Sequence, residues 1–218
     1  MRQQAGVGMT SARARQRLIE RLRDEGISDE AVLATLFETP RHLFLDEALQ
    51  HRAYENTALS IGYQQTISQP YIVALMTQLA GVSEDRVKRV LDIGTGCGYQ
   101  AAILSQLADW VFTVERIEAL SFSARERLQL LGYKNISYLC GDGYAGWVKK
   151  APFDAIIVAA APPVVPPALM EQLAIGGRLV IPVGDGEQQA LRLIERTPGG
   201  YTEEIVAAVK FVPLVGAS

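Results

Sequence analysis

Two hydrophobic rhythms divide this chain near residue 87. Before it, apolar positions recur at helical spacing. Leu18, Ile19 and Leu22 stand among Arg13, Arg15, Arg17, Arg21 and Arg23, which predicts a helix from Ala14 to Glu25 closed by Gly26. A second helix is expected over Asp29–Glu38, with Ser28 as its cap and Glu30 in its first turn. Pro40 then breaks the chain, and residues 41–56 read as turn and short helix carrying Phe44 and Tyr54. From Val87 onward short apolar runs alternate with helical segments. Strands are predicted at Val87–Ile93, Trp110–Val114, Asn135–Cys140, Phe153–Ala159 and Arg178–Val183. Helices are predicted at Tyr99–Ala108, Ile117–Leu131 and Pro167–Leu173, with a Gly176-Gly177 turn before the fifth strand. Such alternation means right-handed βαβ units, and the almost wholly apolar Phe153–Ala159 fits a strand covered on both faces. The rhythm then changes to an antiparallel hairpin, Gln189–Arg196 and Tyr201–Phe211 around Thr197-Pro198-Gly199-Gly200. The expected fold is α/β: a mostly parallel seven-stranded sheet ending in that hairpin, preceded by N-terminal helices.

Length and composition narrow the classes. At 218 residues, 49% hydrophobic and 21% charged, the chain suits one domain over residues 13–218, after a flexible tail at 1–12. Within it, residues 13–86 form a helical and loop segment and 87–218 the ligand-binding core. A net charge of −3 and a pI near 5.5 argue against nucleic-acid binding, which needs a concentrated positive surface. The arginines at 13–23 have Glu20, Asp24 and Glu25 as compensating neighbours and read as a solvated helix face. No apolar run of membrane-spanning length exists, and the first residues lack the apolar core of a signal peptide. A cytoplasmic location is therefore expected, and the chain is also expected to be a monomer. Two cysteines, Cys97 and Cys140, are too few for a disulfide framework and read as buried free thiols. Two histidines with no paired spacing point to no metal site.

The chemistry concentrates at Val90-Leu-Asp-Ile-Gly-Thr-Gly-Cys-Gly-Tyr99, where an apolar strand ends in Asp92 and opens into glycine turn Gly94–Gly98. Glycines there let backbone approach a nucleotide-like ligand, and the spacing is GxGxG instead of the GxGxxG of dinucleotide binders. An acid before the turn and another, Glu115, 21 residues beyond Gly94 fit a ligand with an amino group and ribose hydroxyls, such as S-adenosylmethionine. A third strand end, Gly141-Asp142-Gly143, offers an acceptor for an adenine amino group beside glycines that let the ring lie flat. Each feature has a plainer reading as a solvated turn; three in order at strand ends are far more specific than one. Residues 61–70 read locally as a loop with Ser68 capping a helix and Pro70 close behind.

Taken together, Ile61-Gly62, Gln65-Thr66-Ile67-Ser68-Gln69-Pro70, Val90–Tyr99, Gly141-Asp142-Gly143, Pro152-Phe153-Asp154-Ala155-Ile156, Ala160-Ala161-Pro162, Gly176-Gly177-Arg178-Leu179, Pro182-Val183-Gly184 and Phe211-Val212-Pro213-Leu214 resemble the protein-L-isoaspartate O-methyltransferase family in order over residues 15–215. The Thr-Ile-Ser-x-Pro segment is the specific one, because methyltransferases at large lack it. The resemblance implies a Rossmann-like class I methyltransferase that moves a methyl from S-adenosyl-L-methionine, leaving S-adenosyl-L-homocysteine, to the α-carboxyl of L-isoaspartyl residues in damaged proteins and peptides. It implies no metal and no nucleic-acid or membrane partner. Matched by motif position, Ser68 is the active-site serine, with Thr66 beside it near the cofactor. Asp92, Gly94, Thr95, Gly96 and Gly98 match the methionine end, Glu115 the ribose, and Asp142 with Gly143 the adenine. Ile67, Ser68, Ala161, Pro162 and Val212 match the segments that frame the substrate. One departure is Gln64, where many bacterial members have Gly; Tyr63-Gln64 resembles the aromatic-Gln pair of the animal branch instead. The competing readings are a class I enzyme for another carboxylate, small molecule or nucleic acid, and a cofactor-binding module without catalysis.

Overall fold

Ser11 sets where the first helix starts. Its hydroxyl accepts the Ala14 N–H at 3.4 Å, so α1 runs Ala12–Asp24, two residues earlier than its apolar spacing predicts, and buries Ala14, Leu18, Ile19 and Leu22. A 3₁₀ turn, Gly8–Thr10, precedes it, so residues 8–12 are structured and not part of a tail. The computed structural model describes residues 8–84, 87–186 and 188–216; the remainder of the expected tail, residues 1–7, and the boundary expected at residue 86 lie outside the described residues. The second helix, α2 (Glu30–Glu38), is capped by Asp29 rather than Ser28. One Asp29 oxygen accepts from Ala31 and Val32 at 3.0 and 3.1 Å, the other from the Ser83 hydroxyl. A carboxylate at a helix N-terminus also meets the positive end of the helix dipole, which a serine does not. The Ser28 N–H goes instead to Gln78 Oε1 at 2.8 Å.

Residues expected as a loop form a second, small sheet. β1 (Leu59–Gly62) and β2 (Gln65–Ile67) pair antiparallel around Tyr63 and Gln64, whose φ angles of 52° and 58° are those of a tight primed turn. The helix that follows, α3 (Pro70–Leu79), has Gln69 at its N-cap position without a side-chain bond, so Ser68 stands outside it. The cap comes from afar: Asn56 Oδ1 accepts the Tyr71 N–H at 3.0 Å. That frees Ser68 from a structural duty.

The large sheet contains β3 (Arg89–Ile93), β4 (Trp110–Glu115), β5 (Ile136–Cys140), β6 (Phe153–Val158), β7 (Leu173–Asp185), β8 (Gln188–Thr197) and β9 (Gly200–Val209). Its order is β5-β4-β3-β6-β7-β8-β9, parallel through β7 and antiparallel across the last two pairings. Between strands lie α4 (Tyr99–Leu104), α5 (Glu118–Leu130) and α6 (Pro167–Glu171), shorter than predicted at one or both ends. Separate apolar clusters cover the two faces, which is why β3 and β6 carry apolar side chains almost throughout. Gly176 and Gly177 are not a turn between elements but an irregularity inside β7, where Phe153 pairs with Leu173 yet Ala155 pairs with Arg178. A Cβ on Gly177 would stand 2.9 Å from the Ala174 carbonyl and 3.0 Å from that of Phe153, so only glycine fits. Strand order reverses at β3 and β6, and the crevice this opens at their carboxyl ends positions the site.

Candidate active site

A cleft of about 560 Å³ opens above the carboxyl ends of β3, β4 and β6. Ile93, Gly94 and Gly96 form one side and Val114, Glu115 and Arg116 another; Gln65 and Thr66 come from the small hairpin. Gly143, Ala159, Ala160 and the segment Val212–Val215 complete it. Gly143 sits where the walls converge: a Cβ there would lie 2.7 Å from Ile93 Cγ2 and 3.2 Å from Leu214 Cδ1.

The glycine turn is held by three polar side chains. Glu115, 7% exposed, accepts the Gly96 N–H at 2.9 Å through Oε2 and the Ile117 N–H at 3.0 Å through Oε1. Each oxygen keeps a further lone pair for hydroxyls in the cleft. Asp92 pairs in register with Thr113 across β3 and β4, and Thr113 Oγ1 donates to Asp92 Oδ2 at 2.7 Å. Thr113 Oγ1 also lies 2.6 Å from Thr95 Oγ1, so a chain of bonds ties the strand end to the turn. Asp92 is fully buried, and its Oδ1 has no partner among the described residues. Burial pushes its carboxyl up to about 7, against the Thr113 hydrogen bond and helped by the nearby Glu115 charge. Gly98 closes the turn at φ 89° and opens α4; a Cβ on it would meet Leu128 Cδ1 at 2.9 Å.

A second, larger groove of about 890 Å³ adjoins the first. Ala58, Ser68, Gln69 and Ile72 line one side, and Ala208 to Phe211 the other. Thr66, Ala159 and Val212 line both the cleft and the groove, so these three side chains are the wall between them. Ser68 and Ile67, with Thr95, also line a connecting cavity next to Gly94 and Gly96. The 212–214 segment is fixed by β-like bonds to the exit of β6. The Ala161 N–H donates to the Val212 carbonyl, and the Leu214 N–H to the Ala161 carbonyl, each at 2.8 Å. Pro162 is buried, its carbonyl accepting the Gly184 N–H at 3.0 Å.

Of the residues singled out in the sequence, Thr66, Gly94, Gly96, Glu115, Gly143 and Val212 line the cleft, and Thr66, Ser68 and Val212 the groove. Asp92, Gly98, Asp142, Ala161 and Pro162 stand behind these surfaces. Asp142 Oδ1 accepts the Tyr144 N–H at 2.8 Å and so caps the short 3₁₀ turn Gly143–Ala145. Thr113 was missed, although a lone hydroxyl inside Trp110–Val114 was the available signal. Ala159 and the lining role of Leu214 left no local signal at all. Cys97 is buried as expected, but Cys140 is exposed, because β5 is the sheet's outer strand. Among the described residues no group of His, Cys, Asp or Glu could hold a metal ion, and no helix is long and apolar enough to cross a membrane.

Known proteins place this geometry. The family model described as protein-L-isoaspartate(D-aspartate) O-methyltransferase matches residues 13–218. The chain is 55% identical over 207 residues to a protein-L-isoaspartate O-methyltransferase of Pseudomonas paraeruginosa, covering 95% of this chain and 98% of that one. Against the Pseudomonas fluorescens protein of the same name it is 56% identical over the same shares. A solved protein-L-isoaspartate O-methyltransferase superposes with a TM-score of 0.84 at 29% identity, over 93% of this chain and 66% of the other. A Plasmodium falciparum relative, solved in complex with S-adenosyl-L-homocysteine, gives 0.79 at 27% identity over 91% and 97%. The glycine turn with its acids, the serine beside the shared wall and the match along nearly the whole chain agree: this chain belongs to the protein-L-isoaspartate(D-aspartate) O-methyltransferase family.

Proposed function

We propose that the cleft takes S-adenosyl-L-methionine and the groove an L-isoaspartyl segment of a damaged protein, whose α-carboxyl meets the methyl group where the two spaces adjoin, at the border formed by Thr66, Ala159 and Val212. The observation that carries this reading is the wall itself, lined on one side by the glycine turn and on the other by Ser68. The residues present fit the methyl donor. Gly143 lines the cleft at a place too tightly packed by Ile93 and Leu214 for any side chain, which leaves a bare backbone surface for a flat base, and Glu115 offers acceptors for ribose hydroxyls. Gly94, Thr95 and Gly96 then face the methionine end, supported from behind by Asp92 through Thr113. When bound, S-adenosyl-L-methionine supplies a methyl group already activated on a sulfonium.

The protein's part is small but exacting. A carboxylate has a reference pKa near 4, so the acceptor is already a nucleophile at neutral pH and no general base is required. What remains is alignment, which is worth up to about 7–11 kcal/mol in favourable systems. Ser68 is half-buried and bears a hydroxyl that can donate to one oxygen of the acceptor carboxylate, leaving the other free to attack. The small hairpin packs close over the glycine turn: a Cβ on Gly96 would lie 3.2 Å from Ile61 Cδ1. We place the enzyme in the cytoplasm, where the methyl donor and protein substrates of this class meet. The test is transfer of labelled methyl to a peptide containing L-isoaspartate beside the same peptide with ordinary aspartate. Labelling of the first alone is expected; equal labelling of both, or of neither, overturns the reading.

A further inference from the structure

The groove beside Ser68 is uncharged except at one place. Lys210 lines it, and no Asp or Glu lines it among the described residues. Lys210 is exposed and pairs with no carboxylate among the described residues. Its backbone is held firmly. Phe211, the next residue, is clamped from both sides by the buried Gln189 amide: the Phe211 N–H donates to Oε1 at 2.7 Å, and Nε2 donates to the Phe211 carbonyl at 3.1 Å. On its other side, Val209 is in register with Gln189 across β8 and β9. Lys210 thus stands on a fixed arch between two groove-lining residues, in a protein whose net charge is −3. An ordinary solvated lysine would explain the exposure. It leaves out the setting: a cation on a fixed backbone is the one charged group lining the groove beside Ser68 among the described residues.

We infer that Lys210 selects among isoaspartyl substrates by pairing with an acidic side chain next to the isoaspartyl residue. The inference rests on the reading of the groove as the peptide site. An exposed ion pair of this kind changes binding by about two- to fivefold, and salt screens it over roughly 10 Å at moderate ionic strength. The pairing lies outside the reacting carboxylate, so it acts on KM and leaves kcat alone.

The experiment crosses three enzymes with three peptides. The enzymes are wild type, Lys210→Gln and Lys210→Glu. The peptides share an isoaspartyl centre flanked by Glu, Gln or Lys. Wild type is expected to favour the Glu-flanked peptide over the Gln-flanked one by about two- to fivefold in kcat/KM through KM, with the Lys-flanked peptide last. Lys210→Gln flattens the order, Lys210→Glu reverses it, and added salt shrinks both differences. One order shared by all three enzymes overturns the inference. So does an equal loss on every peptide in Lys210→Gln, which would put the lysine on the isoaspartyl carboxylate or in the fold. Failure of wild type on even the Gln-flanked peptide defeats the reading of the groove itself, and the inference with it.

Discussion

Glu115 and Gly96 are joined by a hydrogen bond of 2.9 Å from the glycine N–H to Oε2, so the end of β4 and the turn after β3 are a single piece. The same carboxylate starts α5 by accepting the Ile117 N–H. A glutamine at this position keeps the shape but has only one acceptor oxygen, and its NH₂ must face an N–H. Hydrogen bonds to charged groups are worth about 1.5–3 kcal/mol. Glu115→Gln is therefore expected to weaken S-adenosyl-L-homocysteine binding by roughly 10–100-fold in isothermal titration. Unchanged affinity would remove Glu115 from the ligand's surroundings.

Asp92 predicts a pH dependence with a definite sign. Its carboxyl sits at about 7 when folded, against about 3.9 for an unfolded aspartate. The folded protein holds this proton more tightly, so the group's contribution is full below pH 3.9 and is lost as pH rises through 7. Asp92→Asn is neutral throughout. In thermal melts the variant's Tm relative to wild type should climb between pH 4 and 7 and level off above. Parallel curves across that window would mean that Asp92 is ionised in the fold.

Ser68 separates binding from turnover. Because the helix after it is capped by Asn56, removing the hydroxyl costs little structure. Ser68→Ala should lower kcat by roughly 10–100-fold, the worth of one hydrogen bond to a charged group, while donor affinity changes less than twofold. Equal losses in the two measurements would deny it the role of orienting the acceptor.

The hairpin tip carries avoidable strain. Gln64 at φ 58° adopts a conformation that costs an L-residue about 1–2 kcal/mol, part of which glycine returns as chain entropy. Gln64→Gly is expected to stabilise the protein by about 0.5–1 kcal/mol, seen as a Tm increase of about 1–4 °C. A lower Tm would show that the Gln64 side chain makes up for its backbone.

The sheet was legible in the sequence because its first four strands, β3 to β6, are short, apolar and bounded by turns, whereas the register between partners tens of residues apart, such as Val90 and Ala155, was not. Three acids at strand ends pointed to the same end of the sheet as the cleft, although only Glu115 of the three lines it. Helix ends were read less well: Asp29 outcompeted Ser28 as a cap through its charge, and Ser68 lost its capping role to Asn56, far back in the chain. The small hairpin escaped notice because Tyr63-Gln64 is not a favoured primed-turn pair. Nor could any local pattern bring Val212 beside Ala159 and Thr66, since that meeting depends on the chain returning to pair with Ala161. The acceptor side of the site came from family resemblance alone.

The shared wall has a consequence for how such an enzyme can diversify. On the proposed reading the donor side is built from the ends of β3, β4 and β6 with Gln65, Thr66, Gly143 and residues 212–215, whereas the acceptor side is built from Ala58, Thr66, the start of α3 and the residues at the end of β9. Only Thr66, Ala159 and Val212 serve both. Mutations can therefore accumulate at Ala58, Gln69, Ile72 and residues 208–211, which line the groove but not the cleft, changing which proteins are modified while the source of the methyl group is inherited intact.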